Sequence, residues 1–293
     1  MNIIDTTTFF EEHLMMGLRF NILNAFVDHF IVCEARFTHS GKEKGINFNK
    51  SDYPKFEDKI THLIIDKEPE NIIKKDNLEI HERRVNSVFR INAQRDYISK
   101  SLQDYSAEDY IIHSDNDEIP NLEAIDLKKN KSKIVIFKQF LFYYKFDLYL
   151  PNIDWFGSKC CQLKNLKSIN LLRAAKNRKY NFFRLDTMFS DIKHSSVNII
   201  KDGGWHFSNL KNLEELERKY KNDENHAEYE YFGHSINKIK NNLDNKTIDY
   251  NHNVKKDSLD RFGSTKLKNV DLSILPKFLQ DNKKKYIDWF DLT

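Results

Sequence analysis

The strongest constraint on the fold is the order in which short apolar runs and helix-spaced stretches follow one another. Asn2 to Asp5 reads as a short strand, and Glu11 to Phe26 then sets Leu14, Leu18, Ile22 and Phe26 on one helical face. Asp28 to Ala35 is a second strand and Ile60 to Asp66 a third. Asn86 to Leu102 reads as a helix, and Asp109 to Ser114 as a fourth strand that runs straight into an acidic cluster. Strands alternating with helices imply a mostly parallel sheet with right-handed crossovers, and such sheets bind ligands beyond the carboxyl ends of their strands. The expected class is therefore α/β, a Rossmann-type mixed but mostly parallel sheet flanked by helices.

The second half is expected to add strands in the Phe- and Tyr-rich stretch from Ile134 to Leu150 and charged helices from Asn212 to Asn241. At 293 residues the chain can bury a core of its own. One domain is expected over residues 1–242, followed by a partly helical C-terminal tail over 243–293 that packs on it. The 47 Lys and Arg nearly balance the 44 Asp and Glu, and a net charge of +3 is too small an excess to argue for a nucleic-acid surface. Cys33, Cys160 and Cys161 have neither disulfide-framework nor zinc spacing, and Cys33 reads as a small buried residue. The first residues do not resemble a signal peptide, and no run approaches about 18 apolar residues, so a cytoplasmic protein is expected. In the tail, Lys283-Lys284-Lys285 beside Tyr286 and Trp289 could meet an anionic membrane surface; a solvated charge run is the plainer reading.

The segment His113-Ser114-Asp115-Asn116-Asp117-Glu118-Ile119-Pro120 sets an Asp-x-Asp directly after the apolar run Tyr110-Ile111-Ile112. Carboxylates at i and i+2, where a strand loosens into a loop, can converge on one hard divalent cation, Mn²⁺ or Mg²⁺, that in turn binds diphosphate oxygens. Such a triplet can also merely cap a following helix. Calcium-loop spacing is absent, and neither Gly-x-x-x-x-Gly-Lys-Ser/Thr nor a dinucleotide Gly-x-Gly-x-x-Gly occurs. Paired aspartates at such an edge suit sugar transfer from a nucleotide, or else nucleotidyl transfer or phosphate hydrolysis.

Several blocks then appear in order: Asp5-Thr6-Thr7-Thr8-Phe9-Phe10-Glu11-Glu12 with Arg19, Val32-Cys33-Glu34 through Thr38 to Gly41-Lys42, and Asn92-Ala93-Gln94-Arg95-Asp96. Ser114-Asp115-Asn116-Asp117-Glu118-Ile119-Pro120 is the most specific of them. Trp155-Phe156-Gly157, Arg173, Gly204-Trp205-His206-Phe207-Ser208, Lys219 and His226-Ala227-Glu228 follow. Over roughly residues 1 to 230 the chain resembles glycosyltransferase family 17, the β-1,4-mannosyl-glycoprotein N-acetylglucosaminyltransferases and their microbial relatives. It departs from that pattern in having Thr where the family favours aromatic residues in the opening block. The resemblance implies a GT-A-type fold, a UDP-sugar donor (UDP-N-acetylglucosamine), Mn²⁺ and inversion at the anomeric carbon, with a glycan hydroxyl as acceptor. A glycan-binding module with a decayed donor site is the non-enzymatic alternative.

On this footing Asp117 is the first choice for metal ligation. Asp115 is expected to hold the ribose or join the metal shell, and Glu118 to orient the site. His206 could complete the metal shell, bind a phosphate or be a buried, satisfied imidazole. Glu34, Gln94 and Arg95 could reach the nucleotide, or Arg95 and Glu34 could form a structural ion pair. Gly203-Gly204 would let backbone approach a ligand, and Trp205 and Trp155 offer faces for a sugar ring or simply pack in the core. An inverting transfer needs a base for the acceptor proton. Asp154, Asp191 and Glu228 are the candidates, with His226 an alternative for that role or for closing a lid.

Overall fold

The computed structural model describes residues 1–231, 235–249 and 264–291. In chain order these form β1 (Ile3–Phe9), α1 (His13–Leu23), β2 (His29–Ala35), β3 (Ile60–Ile65), α2 (Ile80–Tyr97), β4 (Tyr110–Ser114) and β5 (Glu118–Pro120). There follow β6 (Ile134–Tyr143), β7 (Leu148–Tyr149), β8 (Trp155–Gln162), α3 (Ile169–Ala174), α4 (Leu185–Met188), β9 (Val197–Ile200) and β10 (Gly204–Ser208). The last elements are α5 (Leu213–Tyr220), α6 (His226–Tyr231), α7 (Ile236–Asn245), β11 (Thr247–Ile248), β12 (Thr265–Lys266), β13 (Lys268–Asn269) and α8 (Lys277–Asp281).

The amino-terminal half is the α/β, Rossmann-like arrangement expected. β3, β2, β1 and β4 lie side by side in that order, all parallel. The antiparallel β8 then joins β4 to β6, and β9 and β10 run parallel to β6. Side chains alternate across this sheet with the period of two that a strand imposes. Phe30, Val32, Tyr110 and Ile112 enter one core with α1, whereas Ile31, Cys33 and Ile111 enter the other with the turn after α2 and with α3. Burial on both faces explains why these strands read as continuous apolar runs.

Three boundaries differ from the sequence reading, each for a physical reason. β1 continues through Thr6, Thr7 and Thr8, β-branched residues that suit a strand, and Thr6 Oγ1 donates to Ile112 O at 2.9 Å. α2 begins at Ile80 rather than Asn86, because a capping box between Glu79 and Glu82 starts it before any apolar periodicity appears. Among the described residues the stretch from Asn212 to Asn241 holds three helices, the last running on to Asn245, with Asn212 and Ser235 capping two of them.

The tail expected from residue 243 begins inside α7, and residues 250–263 lie outside those described. Its last part is core as much as surface. β13 pairs with β7, while Leu275, Leu279, Tyr286 and Phe290 are buried in the α1-side core. Lys283 and Lys285 lie 5.3 Å over the rings of Phe290 and Tyr286, so these two aromatics are packed inward and are not available to a membrane.

Candidate active site

The acidic loop leaves the carboxyl end of β4, beside the carboxyl end of β1. That is where strand order reverses, since β1 lies between β2 and β4, and where open α/β sheets form their ligand crevice. Two later segments are brought to it. β5 pairs antiparallel with β10, matching Glu118 with His206 and Pro120 with Gly204, and Phe207 N donates to Asp117 O at 2.8 Å. This short ladder sets His206 beside Asp117, with Nε2 at 3.3 Å from Oδ1. Gly204 is required for it: its φ is +133°, and a Cβ there would overlap Ile119 O. The close approach anticipated for Gly203 and Gly204 is thus made by the chain's own backbone rather than by a ligand.

Two guanidinium groups fix the first half of the cluster. Arg95 donates to Asp115 Oδ1 at 2.7 Å and Arg173 to Asp115 Oδ2 at 2.6 Å. Arg173 also forks onto Glu118, at 2.7 Å to Oε1 and 2.9 Å to Oε2, and reaches Gly157 O at 2.5 Å. Burial alone would raise the Asp115 pKa, but Arg173 and Arg95 outweigh it and hold the carboxyl well below its ordinary range. Glu118 is fully buried and also accepts from Trp155 Nε1 and from its own loop at Asp115 N. Its oxygens meet Arg173, Trp155 and the loop's own backbone, and none faces open space.

Asp117 has a different setting. It faces His206 on one side and Lys219 Nζ at 3.7 Å on the other. Burial pushes its pKa up, and His206 and Lys219 more than offset this, so it stays an anion. It borders a cavity of about 120 Å³ lined also by Glu11, Glu12, Asn209, Lys211 and Lys219. Lys219 is aimed by Asn209 Oδ1 at 2.9 Å, and Lys211 is held by Glu11 and Glu12. His206 lies against Trp155, ring centroids 4.5 Å apart.

The remaining residues singled out from sequence fall into place unevenly. Glu34 does not reach this cluster and does not pair with Arg95; it accepts from Lys44, Asn47 N and Phe48 N and so shapes the loop after β2. Gln94 donates to Cys33 O and faces His39, whose pKa burial lowers to about 4, so it ties α2 to β2. Trp205 is a core residue whose Nε1 donates to Ile274 O at 2.6 Å, which removes it as a sugar platform. Asp191 pairs with Lys167 beside a different cavity, near the opposite end of β4. Asp154 is exposed next to Trp155 and pairs with Lys138 at 2.5 Å. His226 packs against Ser87 of α2 and is buried, which excludes it as an exposed base. Glu228 lies in α6, and its side chain is outside the described residues.

Both oxygens of Asp115, expected on the ribose or in the metal shell, accept from guanidinium groups. Among the described residues no group of three or more His, Cys, Asp or Glu is arranged to hold a metal ion. Asp117 and His206 are the pair that face each other. Arg173, Lys211 and Lys219 are the residues to which sequence assigned no role. Arg173 and Lys219 stood in recognisable blocks, but nothing local shows that an Arg in a six-residue helix meets carboxylates 55 and 58 positions earlier.

Residues 1–287 match the model of Glycosyltransferase family 17, and the chain belongs to that family. This places it among the glycosyltransferases and sets aside nucleotidyl transfer and phosphate hydrolysis. None of the curated proteins compared with it matches. Among solved structures, HddC from Yersinia pseudotuberculosis is similar at 9% identity and a TM-score of 0.32, over 69% of this chain and 90% of that one. The 2-C-methyl-D-erythritol 4-phosphate cytidylyltransferase of Francisella tularensis is similar at 14% identity and a TM-score of 0.33, over 74% and 98%. Neither likeness bears on the site. Among the described residues no helix is long and apolar enough to cross a membrane.

Proposed function

We propose that the protein is an inverting, metal-dependent glycosyltransferase that moves a sugar from a nucleoside diphosphate to a glycan hydroxyl. The donor implied by the resemblance is UDP-N-acetylglucosamine. The observation that carries the reading is the Asp117–His206 pair, whose Asp117 borders the cavity together with Lys219. One carboxylate and one imidazole, Asp117 and His206, would hold a Mn²⁺ or Mg²⁺ ion there. Such an ion would supply positive charge to offset the negative charge that develops on the departing diphosphate.

The chain's own groups do the rest. Lys219 and Lys211 are ammonium donors at the same cavity, suited to diphosphate oxygens. Asp115 keeps unshared lone pairs beyond its two guanidinium bonds, enough to accept from a ribose hydroxyl. Trp155, braced by Glu118 and tilted against the His206 ring, offers the face on which a sugar can lie. Of the carboxylates considered for removal of the acceptor proton, Asp154 keeps that assignment, because it stands exposed beside Trp155.

Calorimetric titration of UDP and UDP-N-acetylglucosamine, with and without Mn²⁺, tests this on the native protein and on Asp117→Ala. Binding should require Mn²⁺, and the variant should lose roughly tenfold or more in affinity, the worth of a charged contact. Metal-independent binding, or full affinity in Asp117→Ala, would remove the assignment.

A further inference from the structure

The segment from residue 176 to 196, between α3 and β9, forms a loop closed at its base by two backbone bonds. Lys176 N donates to Ile192 O at 2.7 Å and Tyr180 N to His194 O at 3.0 Å. Beyond that base the side chains of Phe182, Phe183, Leu185 and Phe189 are 72%, 89%, 72% and 88% exposed, the most exposed large hydrophobics among the described residues. Three phenylalanines and a leucine within eight positions form a cluster, unlike the scattered single apolar residues of an ordinary surface.

The charges around the loop are of one predominant sign. Lys176, Arg178, Lys179, Arg184 and Lys193 are opposed by Asp186 and Asp191 alone. Three of these cations converge on one buried ring at the base of the loop. Arg178 lies 4.6 Å, Arg184 5.5 Å and Lys193 6.0 Å from the Tyr180 centroid. Beneath the loop is a cavity of about 420 Å³, lined by Phe182 together with Lys133, Lys164, Lys167 and Lys193. Lys164, Lys167 and Lys193 have carboxylate partners in Glu108, Asp191 and Asp186, but exposed pairs of this kind are weak and exchange readily for another anion.

An apolar tip above a cationic collar matches a bilayer whose surface is anionic. Aromatic and aliphatic side chains enter the boundary between headgroups and acyl chains, and the cations meet headgroup phosphates. A second copy of the chain fits less well, because a two-fold contact through this patch would set cation against cation. We infer that residues 181–189 dock the protein on an anionic lipid surface, with Phe182, Phe183, Leu185 and Phe189 inserted and the surrounding Lys and Arg on the headgroups. The inference does not depend on which sugar is transferred.

Flotation of the full chain with vesicles of phosphatidylcholine alone, or mixed with phosphatidylglycerol, provides the test. The native protein should bind the mixed vesicles, less so in high salt, and bind phosphatidylcholine poorly. A variant carrying Phe182→Ser, Phe183→Ser and Phe189→Ser should lose roughly tenfold or more in binding, and Lys179→Glu about fivefold or more. Both should retain the native unfolding midpoint; if the triple variant does not, Leu185→Ser is read in its place. Absence of native binding to the mixed vesicles overturns the inference, as does equal binding by the serine variants. Self-association in solution that the serine substitutions abolish, without vesicle binding, overturns it in favour of a contact between copies.

Discussion

Arg173→Ala is the substitution whose consequence can be worked most directly from the structure. The guanidinium makes two bonds to Glu118, one to Asp115 and one to Gly157 O. Asp115 keeps Arg95, so its loss is partial. Glu118 keeps only Trp155 Nε1 and the Asp115 N–H, and it is fully buried. Two charged hydrogen bonds at about 1.5–3 kcal/mol each give a loss of about 3–6 kcal/mol. That agrees with about 3–5 kcal/mol for leaving a buried charge without its partner. At about 2 °C per kcal/mol for a chain of this size, the unfolding midpoint should fall by roughly 6–10 °C. Urea unfolding and calorimetry measure it. The control is Arg173→Ala combined with Glu118→Gln, which removes the stranded charge and should recover part of the loss. A single-variant loss below about 1 kcal/mol, or a double variant no more stable than the single, would refute the account of Glu118 as a buried anion held by Arg173.

Two further outcomes follow from the same neighbourhood. A Cβ at Gly157 would overlap Gln139 Oε1 and come within 2.9 Å of Glu118 Cδ, so Gly157→Ala should cost about 1–3 kcal/mol, read by urea unfolding. Lys159 is buried, with Nζ donating to Arg173 O and Ala175 O at the end of α3, and burial together with the Arg173 charge lowers its pKa from 10.5 to about 7. The unfolded chain therefore binds more protons than the folded one between those values, so this residue adds stability as pH rises from about 7 toward 10.5. Lys159→Met should flatten that rise in unfolding midpoint against pH; an unchanged slope would place the lysine outside the titration.

Some of this protein was legible one residue at a time. The apolar runs around Ile31 and Ile111 and the acidic loop after Ser114 carry local information, because a strand buried on both faces must be apolar and the change to charged residues marks where it ends. That was enough for the α/β class and for placing Asp117 in the loop at the edge of the sheet. Strand and helix ends were less legible where polar residues extend an element, as with Thr6 to Thr8 and the first turns of α2, since hydrogen bonds to distant strands or a capping box hold them. Trp205 illustrates the limit: its composition suits a sugar platform or a core equally, and only the carbonyl of Ile274, 69 positions away, decides for the core.

By itself, then, the sequence determined the parallel half-sheet, the loop at its carboxyl edge and the anionic character of that loop, all of which arise from periodicity and local spacing. Tertiary structure alone decided which groups share the site. The β5–β10 ladder carries His206 to Asp117, the short helix α3 carries Arg173 to Asp115 and Glu118, and Lys219 arrives from α5. Each of these meetings spans tens of residues and is fixed by packing and by buried charge seeking its counter-charge, which no window along the chain contains.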